Sequence, residues 1–245
     1  VATVFKAFIS LRGTVLDTSI TSTDTVFCDT NKTQVTIVGC PAPLSEGLPM
    51  EAAANYTCLF ARVAQDSPQL DISGKYLPDM PMATTGFLMQ SYTVRDAVVK
   101  MGMSTVDKVA GQYQVQDFVT TYHPVGEVPP QFRWCRNINL DNNVRYGYLL
   151  LELINVVDKV IANDDDVVTA TGVVKPKTWK GIVQTYAVDL TNRGMDADTK
   201  FMQNSVQVAI SSTNPDRLET FFRYKRTSTA HISSTTAEAG FNFGA

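Results

Sequence analysis

Residues 144–162 read Val-Arg-Tyr-Gly-Tyr-Leu-Leu-Leu-Glu-Leu-Ile-Asn-Val-Val-Asp-Lys-Val-Ile-Ala, and the fold turns on how they are parsed. Val144, Tyr146, Tyr148 and Leu150 recur at every second residue, the period of a strand with one covered face. Leu149, Leu153, Val156, Val157 and Val160 follow instead the three-and-four spacing of a helix. The local pattern is two-valued, so the surroundings decide it. The chain holds 28 Val and 28 Thr among 245 residues, and both are β-branched types that suit a pleated surface and lose rotamer freedom in helices. A polar turn, Asn163-Asp164-Asp165-Asp166, follows directly. Residues 149–162 are therefore expected to be strand, in a mostly β chain.

Outward from this stretch the two-residue period recurs. Phe5, Ala7, Ile9 and Leu11 share one face of an expected strand over 3–16, and Val35 and Ile37 share one face over 34–38. Leu59, Ala61 and Val63 alternate over 57–63, and Tyr113 and Val115 oppose Gln112, Gln114 and Gln116 over 112–122. Residues 167–174, 182–190, 202–210 and 219–226 read as four more strands. Prolines 68, 78, 81, 124, 129 and 130 mark the loops between them, since proline removes a ladder donor. One segment differs. Over 91–102, Thr93 can cap, Val94, Ala97, Val98 and Met101 recur at helical spacing, and Gly102 closes the run, with a further helical turn expected near 105–110. About nine strands and one or two short helices make an all-β, antiparallel two-sheet sandwich the expected fold.

Composition limits what such a chain does. Lys and Arg number 21 against 24 Asp and Glu, a net charge of −3, which argues against a strongly basic nucleic-acid binder. No apolar run approaches the roughly 20 residues that span a bilayer. The chain begins with Val rather than Met, which fits a trimmed chain or release from a longer precursor.

Cys28, Cys40, Cys58 and Cys135 form no C-x-x-C pair and fit no common zinc spacing; free buried thiols are the expectation. His123 precedes Pro124 and His231 lies in a Ser/Thr-rich stretch, with no metal-ligand neighbour for either. No nucleophile elbow, phosphate-binding loop, zinc-protease motif or dinucleotide fingerprint occurs. The expectation is a chain with no catalytic residues, no cofactor and no metal ligands. Asp164, Asp165 and Asp166 form the densest acidic cluster, but they lack the spacing of a calcium loop and read as a solvated turn.

Arg217, Arg223, Lys225 and Arg226 are interleaved with Phe221, Phe222 and Tyr224. Such a patch can touch RNA phosphates and stack on bases, although a strand with a charged outer face is the favoured reading. Trp134, Trp179, Tyr146 and Tyr148 are the aromatics that a carbohydrate-binding sandwich would present on an open face.

Residues 227–245, rich in Ser, Thr, Ala and Gly, end Ala239-Gly240-Phe241-Asn242-Phe243-Gly244-Ala245. That ending is similar to the Gly-and-Phe tails of picornavirus-like capsid subunits. With the Val/Thr-rich composition, proline-rich loops and missing motifs, the chain resembles an icosahedral positive-strand RNA virus coat protein. The resemblance implies a single eight-stranded jelly roll over 1–245 with an extended arm over about 227–245. It also implies contacts with other capsid subunits in a shell around an RNA genome, and residence in the virion, with the host cytoplasm as the place of assembly. Many RNA-virus coat proteins carry an arginine-rich amino-terminal arm, whereas the first twelve residues here offer only Lys6 and Arg12. Either the arm was not included, or the chain belongs with the picornavirus-like group, whose shell proteins manage without it. The near-neutral charge fits the second option better. Two alternatives stay open: a phage tail or other assembly protein, with the same non-catalytic composition but usually forming a ring rather than a shell, and a carbohydrate-binding β-sandwich module.

Overall fold

The structure is a computed structural model; it describes residues 8–11, 36–39, 49–82, 92–123 and 132–229. Among these the chain is mixed α/β rather than all-β, and the jelly-roll expectation is overturned. Five helices carry much of the mass: α1 Pro49–Asp66, α2 Tyr92–Lys100, α3 Cys135–Asn155, α4 Pro176–Asn192 and α5 Thr199–Ser205. The strands are short: β1 Phe8–Leu11, β2 Thr36–Gly39, β3 Met103–Val109, β4 Gln112–Asp117, β5 Val160–Ile161, β6 Val173–Val174, β7 Gln207–Ile210 and β8 Leu218–Phe221.

A four-stranded sheet runs in the order β1-β2-β3-β4. β1 and β2 are parallel, Phe8 opposite Thr36, and β2 and β3 are parallel, Val38 opposite Met103. The chain between β2 and β3 contains α1 and α2, as a parallel crossover requires. β3 and β4 form an antiparallel hairpin whose turn is Ala110-Gly111, with φ of 49° and 78°. Two consecutive positive φ values match the right-handed strand twist, and only glycine adopts the second at no steric cost. This hairpin replaces the helical turn expected near 105–110. Two further pairs, parallel β5-β6 and antiparallel β7-β8, complete the strands described.

The helices form where turn-to-turn apolar spacing outweighs β-branched content. In α4, Pro176 takes the first helical position, where a missing N–H costs nothing, and Trp179, Val183, Tyr186, Ala187 and Leu190 are all buried at i, i+4, i+7, i+8 and i+11. The expected strand over 182–190 falls inside this helix. In α1, buried Tyr56 and Phe60 stand one turn apart, with Leu59 and Val63 packed beside them, so the expected strand over 57–63 is helical too. α3 absorbs the two-valued stretch: Leu140 and Val144 are buried, and Tyr148 and Leu151 pack against the same core. The helical spacing wins there, and strand is confined to β5. Of the expected strands over 167–174 and 202–210, the carboxy-terminal ends survive as β6 and β7, the start of the second being α5. The helix over 91–102 appears as α2, and Gly102 follows it at φ 84°, where an added Cβ would meet the Thr121 backbone at 2.9 Å.

Two groups of buried residues meet near the start of α3. Tyr56, Phe60, Ile72, Val106, Tyr113, Phe118 and Cys135 join α1 to the β3-β4 hairpin. Leu140, Val144, Tyr186, Leu190, Met195 and Met202 join α3, α4 and α5, with Phe222 and Tyr224 of the carboxy-terminal segment packed on them.

A carboxy-terminal strap and the assembly surface beside it

Three buried charged groups, Arg136, Asp141 and Asp196, converge where residues 222–229 cross the start of α3. Arg136, in the first turn of α3, is 3% exposed. Its Nε donates to the Gln69 carbonyl at 2.8 Å, and its Nη2 donates to the Thr227 hydroxyl at 2.6 Å. Nη1 donates to the Thr227 carbonyl and to Asn137 Oδ1. Thr227 in turn donates its hydroxyl proton to the Gly194 carbonyl at 2.7 Å. Burial lowers the Arg136 pKa, and the nearby Asp71 carboxylate works in the opposite direction. A planar guanidinium with fixed donors suits this position, because it ties three chain segments together at once.

One turn further along α3, Asp141 collects three donors. Arg226 reaches it through Nε at 2.7 Å and Nη2 at 2.5 Å, and Tyr224 donates its hydroxyl at 2.5 Å. The bond to Asp141 raises the Arg226 pKa; burial, then the bond to Asp141 and its charge, raises that of Tyr224. Asp196, 1% exposed, accepts the Lys225 backbone N–H at 2.9 Å. Lys225 pairs with Asp198 at 2.7 Å, and that contact pulls the Asp198 pKa down. The strap is thus held by alternating interactions from Tyr224 to Thr227.

This geometry reassigns the expected basic patch. Arg226 is committed to Asp141 and lies 5.1 Å over the Phe132 ring; Lys225 is committed to Asp198 and lies 4.4 Å over Phe201. Arg217 stands 3.9 Å from Glu219, and Arg223 covers Phe221. Each cation has a partner within the chain, so the arrangement lends no support to an RNA contact through these four residues.

The other singled-out residues separate. Asp164 Oδ1 accepts the Lys177 backbone N–H at 2.8 Å in the first turn of α4, and Asp166 Oδ2 accepts from the Asn163 backbone and side chain at 3.0 and 3.2 Å. The acidic cluster is a helix-entry turn. Among the described residues no group of three or more His, Cys, Asp or Glu is placed to hold a metal ion, and no helix is long and apolar enough to cross a membrane. His123 Nδ1 lies 2.6 Å from the Thr121 carbonyl. Cys135 is buried and free, as expected, but Cys58 is exposed on α1; Cys28, Cys40 and His231 lie outside the described residues. The four aromatics share no open face: Trp179 is buried, donating Nε1–H to Thr220 Oγ1 at 3.0 Å, Tyr148 packs on it, and Tyr146 points outward.

Arg136 and Asp141 escaped the sequence reading because each is significant only in relation to α3, and Asp196 because the Lys225 N–H it accepts lies 29 residues further along the chain. Once 135–155 is read as helix, Arg136 and Asp141 are charges beside the Leu140–Val144 face, which marks them as a buried network.

No family model matches the chain, and no curated protein matches it. Solved structures do. A PVC sheath complex of an extracellular contractile injection system, in its contracted state, superposes with a TM-score of 0.60 at 11% identity, over 97% of this chain and 64% of that one. The anti-feeding prophage baseplate gives 0.55 at 10% identity, over 85% and 56%. The sheath tail protein from Desulfitobacterium hafniense gives 0.51 at 12%, over 87% and 55%. The chain therefore spans less than two thirds of each of these proteins. At such identities the likeness is one of fold alone: the chain shares its fold with these sheath and baseplate proteins. This corrects the resemblance to picornavirus-like coat proteins, and with it the jelly roll, the icosahedral shell and the RNA-virus setting.

Proposed function

We propose that this chain is a structural subunit of a contractile-tail or injection-system type of assembly, working by association with further subunits. The observation that carries the reading is the fold likeness over 85–97% of the chain to three sheath or baseplate proteins. The strap supports it in kind. It commits buried charge to fixing the chain up to Thr227, just ahead of residues 230–245. On this reading the chain performs no catalysis. Its buried carboxylates Asp141 and Asp196 are occupied by strap donors, which suits a mechanical part.

Negative-stain microscopy and sedimentation of the purified chain test the proposal. Rings or tubes with a regular subunit repeat are expected. Closed isometric shells would contradict it, and so would a species that stays monomeric when mixed with the remaining subunits of its own particle.

A further inference from the structure

The outward face of α3 is apolar. Its inward face buries Leu140 and Val144, yet Tyr146 is 62% exposed, Leu153 50% and Ile154 68%, with Leu149 and Leu150 also exposed. Tyr146, Leu149 and Leu153 fall within three turns on the side opposite the core, with Leu150 and Ile154 along one flank. An apolar outward face on a helix whose inward face is already packed is a surface left for a partner to cover. The stripe offers on the order of 500 Å², near the largest apolar patch an ordinary monomer leaves bare. Polar Asn139, Asn142 and Asn143 precede it along the helix, so the patch has a sharp start.

The stripe's edge indicates what covers it. Arg145 is exposed and Glu152 half-buried, seven residues apart and so on the same edge. Among the described residues Arg145 makes no ion pair, and Glu152 contacts the Tyr148 hydroxyl. Opposite charges one heptad apart on one edge are self-complementary under a two-fold axis. If a second α3 lies antiparallel across the stripe, Arg145 of each copy meets Glu152 of the other, twice. The same register sets Tyr146 of one copy between Leu149 and Leu153 of the other.

We propose that this face binds a second copy of the same chain through an antiparallel α3–α3 contact, seamed by Tyr146, Leu149 and Leu153 and aligned by reciprocal Arg145–Glu152 pairs. The area covered over both copies is on the order of 1,000 Å², the size of a weak, reversible contact. The contact does not rest on the sheath-like reading. A tube grows by head-to-tail interfaces, whereas this one closes on two copies; tubes without the pair sink only the pair, and the pair without tubes sinks only the tube.

Sedimentation velocity from low micromolar to near-millimolar protein tests it. The wild-type chain is expected to pass from monomer to dimer. Leu153→Glu should abolish the shift while leaving the circular dichroism spectrum unchanged, because the side chain faces outward. Arg145→Glu and Glu152→Arg should each weaken association by about tenfold or more, since each sets like charges opposite one another, and the double variant should recover most of the loss. A wild-type chain that stays monomeric overturns the proposal. So does association that survives both single reversals, or a double variant no better than the singles.

Discussion

Tyr186 of α4 occupies the space beside Gly147 of α3, and its hydroxyl donates to the Val144 carbonyl at 2.8 Å. A Cβ on Gly147 would collide with that hydroxyl and lie 3.2 Å from the ring carbon bearing it. Two effects compete in Gly147→Ala. Helix propensity favours alanine by about 1 kcal/mol, while overpacking of a fitted contact costs about 1–3 kcal/mol. At this separation the overpacking term outweighs the propensity gain, so a net loss of up to about 2 kcal/mol is expected in urea denaturation. In a Tyr186→Phe background the nearest atom is gone, and Gly147→Ala should become neutral or slightly stabilising. The double-mutant cycle reads the difference directly; an equal cost in both backgrounds would show that the hydroxyl is not the obstacle.

The same hydroxyl makes stability fall at high pH. Burial pushes the Tyr186 pKa from 10 up to about 12. The unfolded chain therefore loses this proton first, and between those two values it binds fewer protons than the folded chain. Stability is full below pH 10 and declines as pH rises towards 12. Tyr224 and Tyr148 are raised as well and add to the decline. Tyr186→Phe should flatten the dependence without removing it. Denaturation midpoints measured at intervals from about pH 9 upward check this, and an unchanged slope in the variant counts against the assignment.

The strap predicts a protease phenotype. Lys225 and Arg226 are trypsin sites held by Asp198, Asp196 and Asp141. Cleavage requires local opening, so its rate follows the free energy of releasing the strap. Removing one partner of a buried ion pair costs about 3–5 kcal/mol. Asp141→Asn or Arg136→Ala should accelerate cleavage at these two sites by at least about tenfold. Arg136→Lys should protect only partly, since an ammonium cannot hold Gln69 and both Thr227 oxygens in one plane. Equal rates in wild type and Asp141→Asn would show that the strap is held elsewhere.

How far the sequence discloses this depends on the element. α2 is legible because Gly102 ends it and its apolar residues are few and spaced. β1, β2 and β4 are legible through strict alternation. α3 and α4 are not, and for a physical reason. When a helix is apolar on both its inward and outward faces, as Leu140–Val144 and Tyr146–Leu153 make α3, every spacing finds matching residues and periodicity loses its power. The Val and Thr excess then misleads, because tertiary burial of Val144, Val183 and Trp179 outweighs a propensity penalty of a few tenths of a kcal/mol per residue. Arg226 shows the same limit in the site. In sequence it is one of four cations among aromatics, and only the fold supplies the Asp141 that neutralises it from 85 residues away.

The two described cysteines give the last prediction. Cys58 is exposed on α1, whereas Cys135 is buried at the start of α3 among Phe118, Tyr56 and Ile72. Burial raises the Cys135 thiol well above its usual range, and the negative charge of Asp71 raises it further. Alkylation needs both access and a thiolate, and Cys135 in the folded chain has neither. At about pH 8 iodoacetamide should therefore modify Cys58 in the native protein and leave Cys135 untouched, as read by peptide mass spectrometry. Adding urea should bring Cys135 into reaction along the unfolding transition, because its neighbours join α1 to the β3-β4 hairpin and do not part unless that core opens. Native labelling of Cys135 at a rate comparable to Cys58 would mean that this core opens without global unfolding. Asp71→Asn, which removes the neighbouring charge but not the burial, should leave Cys135 protected in the native protein.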